Sequence, residues 1–237
     1  MIKKISLKNL KRVFPKCNTE SVLYLDENAN ILYKIIYMKY LSLQRIETIN
    51  KLQEINNEYL ILPFYGVTTS DYNELEGYAM HYYEDHTTLT EYIANKDMSF
   101  EKRKQLIYLV ESIFENFKRL KYKYYDIHSD NILIDFNKTI KVSDADSGLF
   151  GEYDICDEVS INNFLANLYY QILLGIENIN EIDSIKINRI ISRATLKQQQ
   201  FLYHSFDKDY TLNFNAIDYI EYFNEDIIQD ARIILKK

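Results

Sequence analysis

A chain of 237 residues and 28.4 kDa holds one large domain or two small ones; 47% hydrophobic and 14% aromatic content excludes a disordered tail, and five glycines and two prolines exclude linker-rich architecture. Twenty-eight Lys and Arg against 35 Asp and Glu leave a net charge of −7, which excludes a nonspecific polyanion binder, and no basic patch points to nucleic acid. Cys17 and Cys156 lie 139 positions apart, too few and too far for a disulfide framework or a zinc site.

No stretch approaches the roughly 18 apolar residues of a membrane span. The start Met1-Ile2-Lys3-Lys4 lacks the apolar block of a signal peptide, so the expected location is the cytoplasm, with no membrane partner.

In chain order, residues 5–13, 21–26 and 31–37 are β-branched or aromatic runs, and the turn-rich Asp26-Glu27-Asn28-Ala29-Asn30 joins the last two, which predicts a three-stranded antiparallel meander. A helix is predicted over 41–56, where Leu43, Ile46, Ile49, Leu52 and Ile55 recur at threes. Residues 60–67 and 77–80 read as two further strands around a polar loop at 68–74, completing five strands and one helix. After Tyr82-Tyr83-Glu84-Asp85 the period changes. Helices are expected over 88–94, 100–120 and 159–174, the last closed by Gly175, with a strand hairpin at 131–143 and further helices at 185–193, 196–205 and 216–223. The predicted organisation is therefore α+β: a sheet-rich N-terminal lobe over 1–80, a hinge at 81–85 and a larger helical C-terminal lobe over 86–237.

The most informative segment is Tyr124-Tyr125-Asp126-Ile127-His128-Ser129-Asp130-Asn131-Ile132-Leu133-Ile134-Asp135, followed by Asp144 18 positions beyond Asp126. It resembles the catalytic loop of the protein kinase-like superfamily, in a form nearer to bacterial kinase-like enzymes and small-molecule phosphotransferases. That resemblance implies a bilobal fold and phosphoryl transfer from ATP. Asp126 matches the Asp that orients the attacking hydroxyl, and Asn131 and Asp144 match the residues that hold Mg2+ against the phosphates. Ile31-Leu32-Tyr33-Lys34 resembles the V-A-I-K strand, which puts Lys34 on the α and β phosphates. Its carboxylate partner is expected on the following helix, at Glu47 or Glu54, with Glu47 preferred because Glu54 leaves little room before the strand at Leu60. Gly77-Tyr78-Ala79-Met80-His81-Tyr82-Tyr83 resembles the strand and hinge that meet adenine, with Met80 as gatekeeper and backbone groups of His81, Tyr82 and Tyr83 on the base. Asp157-Glu158-Val159-Ser160 with Leu173-Leu174-Gly175 looks like the family's D-x-W-S and L-x-G helix. Residues 206–216 look like its D-P-x-x-R-P-S-A segment, with Asn213 in place of the Arg and no A-P-E motif to pair with it.

The chain departs from the family pattern at several points. Lys16-Cys17-Asn18-Thr19-Glu20-Ser21 stands where a glycine-rich loop is expected and has no glycine. Tyr124 and Tyr125 replace the His and Arg of H-R-D, which removes the reader of activation-loop phosphorylation. D-F-G becomes Asp144-Ala145-Asp146, where Asp146 either adds a carboxylate beside the metal site or caps the next turn. Only 13 positions separate Asp144 from Asp157, too few for a peptide platform. The resemblance thus implies an ATP- and Mg2+-dependent kinase acting on a hydroxyl of a small molecule or compact protein. The alternative is a pseudokinase that binds nucleotide or serves only as a scaffold.

Overall fold

The computed structural model describes residues 1–13, 19–71, 74–94, 98–176, 182–206 and 215–236. Cys17, the first half of the segment 16–21 expected to hold the glycine-rich loop and the region around Asn213 lie outside the described residues. In chain order the elements are β1 (Ile2–Lys4), β2 (Lys11–Val13), β3 (Ser21–Asp26), β4 (Ile31–Ile36), α1 (Leu43–Leu52), β5 (Pro63–Thr68), β6 (Gly77–His81), β7 (Thr87–Thr88), α2 (Leu89–Ile93), α3 (Phe100–Arg119), β8 (Tyr122–Lys123), β9 (Ile132–Ile134), β10 (Ile140–Val142), β11 (Leu149–Phe150), α4 (Ile155–Leu174), α5 (Ser184–Ile191), α6 (Leu196–Phe206), α7 (Ile217–Ile220) and α8 (Glu225–Lys236). The fold is α+β. No helix among the described residues is long and apolar enough to cross a membrane.

The chain forms two compact units, Met1–His86 with Asp135–Phe150, and Thr87–Ile134 with Gly151–Lys237. The break after His86 falls beside the expected hinge. Residues 135–150, expected in the helical lobe, belong to the first unit instead.

The sheet of the first unit has six strands in the order β1-β5-β6-β4-β3-β2, and β1 runs parallel to β5, so it is mixed where five antiparallel strands were expected. The extra strand, β1, precedes the predicted run 5–13, of which only Lys11–Val13 forms a strand. The Leu10 amide bonds back to the Leu7 carbonyl at 3.2 Å and breaks the run into a turn, while Ile2 to Lys4 pair with Gly66 to Thr68 at the far edge. The expected hairpin β3–β4 forms, in register from Ser21↔Ile36 to Asp26↔Ile31, with Asn30 at φ 53° in its turn.

Because side chains alternate across a pleated strand, β4 sorts its residues between two faces. Tyr33 faces Val67 and Ala79 in an apolar cluster, with Ile31 and Ile35 packed against it. Lys34 points the other way and sits directly opposite Tyr78 of β6, so the two side chains share one face. Gly77 is what allows this close pairing: a Cβ there would stand 2.0 Å from the Lys34 carbonyl oxygen and 3.0 Å from the Ile35 Cα. Gly77→Ala must push backbone rather than a flexible side chain. We expect it to lower unfolding stability by about 1–3 kcal/mol, as overpacking does, measured by urea titration.

Helix α1 starts at Ser42, whose hydroxyl accepts the Arg45 amide at 3.2 Å. Its inward stripe is Arg45, Thr48, Ile49 and Leu52, an i, i+3, i+4, i+7 set, and Leu43, counted into the predicted stripe, is exposed. Spacing by threes alone drifts around a helix of 3.6 residues per turn, which is why the predicted face was rotated from the real one.

The second unit is built on α3 and α4. Helix α3 buries Leu106, Ile107, Val110, Ile113, Phe114 and Phe117 along one stripe and is capped by Ser99. Helix α4 begins at Ile155, four residues before the predicted start at 159, behind an Asp154 cap whose capping box is closed by Asp157, and it ends at Gly175 at φ 69°. Arg103, buried between helices, donates to the carbonyls of Ile93 and Ile172 at 2.9 and 2.8 Å. The amphipathic helix α8 had no counterpart in the sequence-based expectation.

Candidate functional site

The expected site residues fall into two groups, one in each unit. In the first, β4 carries Lys34 into a position only 1% exposed. An unpaired buried ammonium is costly, and here it is answered by two carboxylates: Nζ donates to Asp146 Oδ1 at 2.8 Å and lies 3.1 Å from Asp144 Oδ1. Both acids come from one short segment after β10. Asp144 takes a left-handed conformation, φ 52° and ψ 32°, unusual for a residue with a Cβ. The chain then closes a 3-10 turn in which the Ser147 amide and hydroxyl both bond to the Asp144 carbonyl, at 3.0 and 2.8 Å. The turn places acids two residues apart against the same ammonium.

Asp146 is the centre of this group. Its Oδ1 also accepts the Tyr78 hydroxyl at 2.6 Å, and its Oδ2 accepts Arg45 Nε at 2.6 Å. Arg45 reaches onward from α1 to Glu20, 2.7 Å away. Thr48 donates to the Gly148 carbonyl at 3.1 Å and fastens the helix to the same turn. Burial alone would raise the Asp146 pKa. The adjacent Lys34 and Arg45 charges and the Lys34 and Tyr78 hydrogen bonds outweigh it and hold the carboxyl down, to about 2. For Lys34 burial opposes the charge, but Asp146 and Asp144 prevail and its pKa is raised. The Tyr78 hydroxyl is pushed far up by burial and by the two acids, so it stays a donor.

These contacts correct the expected partner of Lys34. Glu47 is exposed, about 200° around α1 from the inward-facing Arg45. Glu54 is also exposed and lies beyond the helix end. The carboxylate comes from Asp146, which does not merely cap a turn, and the helix contributes a cation. Arg45 and Tyr78 were missed; the i, i+3, i+4 stripe from Arg45 to Leu52 behind a Ser42 cap is the signal that could have found Arg45.

Of the residues expected around adenine, Met80 is buried on β6 opposite Leu32, and His81 is exposed at the strand's end, paired with Ile31. The Tyr82 amide donates to the Asn30 carbonyl at 3.2 Å, so this backbone group, expected on the base, is engaged within the first unit. The Tyr83 ring stands edge-on between His81 and His86, with centroids 4.8 and 4.9 Å away.

In the second unit, the loop before β9 closes on itself. Asn131 Nδ2 donates to both the Oδ2 and the backbone carbonyl of Asp126, at 2.8 and 3.1 Å, which turns the amide oxygen away from the carboxylate. His128 Nε2 lies 3.4 Å from the other Asp126 oxygen. The loop is fixed from beneath by Ser129, whose hydroxyl meets Thr90 of α2 at 2.6 Å and donates to Gln171 of α4 at 3.3 Å. Tyr124 is buried against Phe114, Phe117 and Tyr122. Tyr125 donates to Asp157 of the α4 capping box, which Lys123 also pairs at 2.5 Å, so both tyrosines serve as structural ties.

Among the described residues no cluster of three or more His, Cys, Asp or Glu forms a metal cage. Mg2+ is ordinarily held by one or two carboxylates together with phosphate oxygens, and in the first unit Asp144, 42% exposed at its side chain, offers hard oxygen donors suited to it. No protein-family model matches the chain, and no curated protein does either.

Proposed function

We propose that this chain is a nucleotide-dependent phosphotransferase of the protein kinase-like kind, moving the γ-phosphoryl group of ATP to a hydroxyl of a small molecule or protein. The observation that carries the reading is the buried Lys34 held 3.1 Å from Asp144 across 110 positions of sequence.

In this reading Lys34 balances charge on the α and β phosphates, and Asp126 orients the acceptor hydroxyl and takes its proton. Asn131 holds the Asp126 carboxylate in place through its amide nitrogen. The resemblance gives Asn131 and Asp144 as the residues for Mg2+, which would supply charge neutralisation on the phosphates when bound. Met80 and the backbone of His81 and Tyr83 are the proposed adenine contacts.

A specific observation favours a second reading, a pseudokinase that binds nucleotide or serves as a scaffold. Lys34 already has two carboxylates on it, Asp144 and the fully buried Asp146, before any phosphate arrives. A thermal-shift titration with ATP and Mg2+ separates a nucleotide-binding chain from a pure scaffold, and turnover of bound ATP then separates the enzyme from a nucleotide-binding pseudokinase. A nucleotide-binding chain gains about 2.7 kcal/mol at 100 times Kd, lost in Lys34→Met and Asp144→Asn. No stabilisation of the wild type at millimolar Mg·ATP would leave the scaffold.

A further inference from the structure

We infer that Asp146 is the positioning residue for Lys34: the turn after β10, and not helix α1, supplies the carboxylate that holds the lysine, and Arg45 is the helix's answering charge. Four contacts converge on this one side chain, from Lys34 at 2.8 Å, from Tyr78 at 2.6 Å and from the Nε and Nη2 atoms of Arg45, each at 2.6 Å. Its side chain has no solvent exposure. A carboxylate with two oxygens accepts from three donor groups there, and each of those groups comes from a different element: β4, β6 and α1. Glu47, the helix carboxylate nearest in sequence, is exposed.

The placement has a mechanical consequence. Asp144 and Asp146 sit on one 3-10 turn, so the contact that fixes Lys34 and the one that brings it to Asp144 are set together. Arg45 in turn ties the turn to Glu20, at the start of β3, through a guanidinium that bonds two acids at once.

The effect on nucleotide binding rests on the phosphotransferase reading, but the pairing of Lys34 does not, and the test separates them. Native acetylation of the full chain, read at Lys34 by mass spectrometry, reports how firmly the ammonium is held. Asp146→Asn should raise the Lys34 acetylation rate by about tenfold or more, since an ammonium that has lost its 2.8 Å bond to Asp146 leaves its buried place and meets the reagent more often; Asp146→Glu should return it toward wild type. Glu47→Gln, at an exposed helix position that folding does not depend on, should leave it unchanged. A Lys34 that is equally protected in wild type and folded Asp146→Asn, or that is released by Glu47→Gln, overturns the assignment. On the same proteins, Asp146→Asn should raise KM for Mg·ATP more than it lowers kcat, as expected of a residue that positions a binding group. Wild-type protein without ATP-dependent activity or stabilisation would sink the phosphotransferase reading alone, with the acetylation result still deciding Asp146.

Discussion

Asp126→Asn is expected to lower phosphoryl transfer by about 10²- to 10⁴-fold, the contribution of a positioned general base, while leaving Mg·ATP stabilisation in place. The substitution is nearly isosteric. An amide oxygen at position 126 can still accept the Asn131 amide, which donates at 2.8 Å in the native loop, so the loop's closure survives. The new side chain can no longer take a proton from a hydroxyl. ATP hydrolysis, with water as acceptor, measures the effect without knowledge of the natural substrate, and a thermal shift on the same preparation measures binding. Equal turnover in Asp126→Asn and wild type would remove Asp126 from the mechanism, whatever the fate of the nucleotide. Asn131→Ala makes the complementary case: it removes the donor that aims the carboxylate and should reduce turnover and metal-dependent binding together.

The second large effect is on stability. Asp146→Ala leaves Lys34 and Arg45 facing each other with Asp144 half-exposed and Glu20 at the rim, and breaking a buried ion group by deleting one partner costs about 3–5 kcal/mol. Adding Lys34→Met to that variant should recover part of the loss, because one of the stranded cations goes with it; a purely additive pair of losses would contradict the coupling. The same group sets an acid dependence. The folded Asp146 pKa of about 2 lies below its ordinary 3.8, so its contribution is fully present above about pH 4 and disappears as the pH falls through 2. Lys34 behaves in the opposite sense: its raised pKa contributes below its ordinary 10.5 and is lost as pH rises through the higher folded value. Chemical denaturation at about pH 5 and pH 2.5 should therefore show a larger acid loss, by on the order of 1–2 kcal/mol, in wild type than in the Lys34→Met/Asp146→Ala protein.

Local pattern carried much of this chain. The β3–β4 hairpin, the edges of β6, the long stripe of α3, the Thr88 and Ser99 caps and the Gly175 stop all follow from rules that act within a few residues: alternation, the 3.6-residue period, and cap and turn chemistry. The same locality explains the spacing that drew attention to Asp126, Asn131, Lys34 and Asp144, since each lies beside a strand or turn whose sequence announces it. The split of residues 2–13 into two short strands was not legible, because the parallel partner of β1 is β5, more than 60 positions away.

By itself, then, the sequence determined an α+β chain, most of its elements, and which polar residues deserved to be considered together. Tertiary structure decided which of them touch. Helix phase and a left-handed Asp144 turned Arg45 inward, Glu47 outward and Asp146 onto Lys34, and no local rule specifies this: a buried ammonium selects its carboxylate by distance and desolvation in three dimensions, and an acid 112 positions away satisfies it better than one 13 positions along.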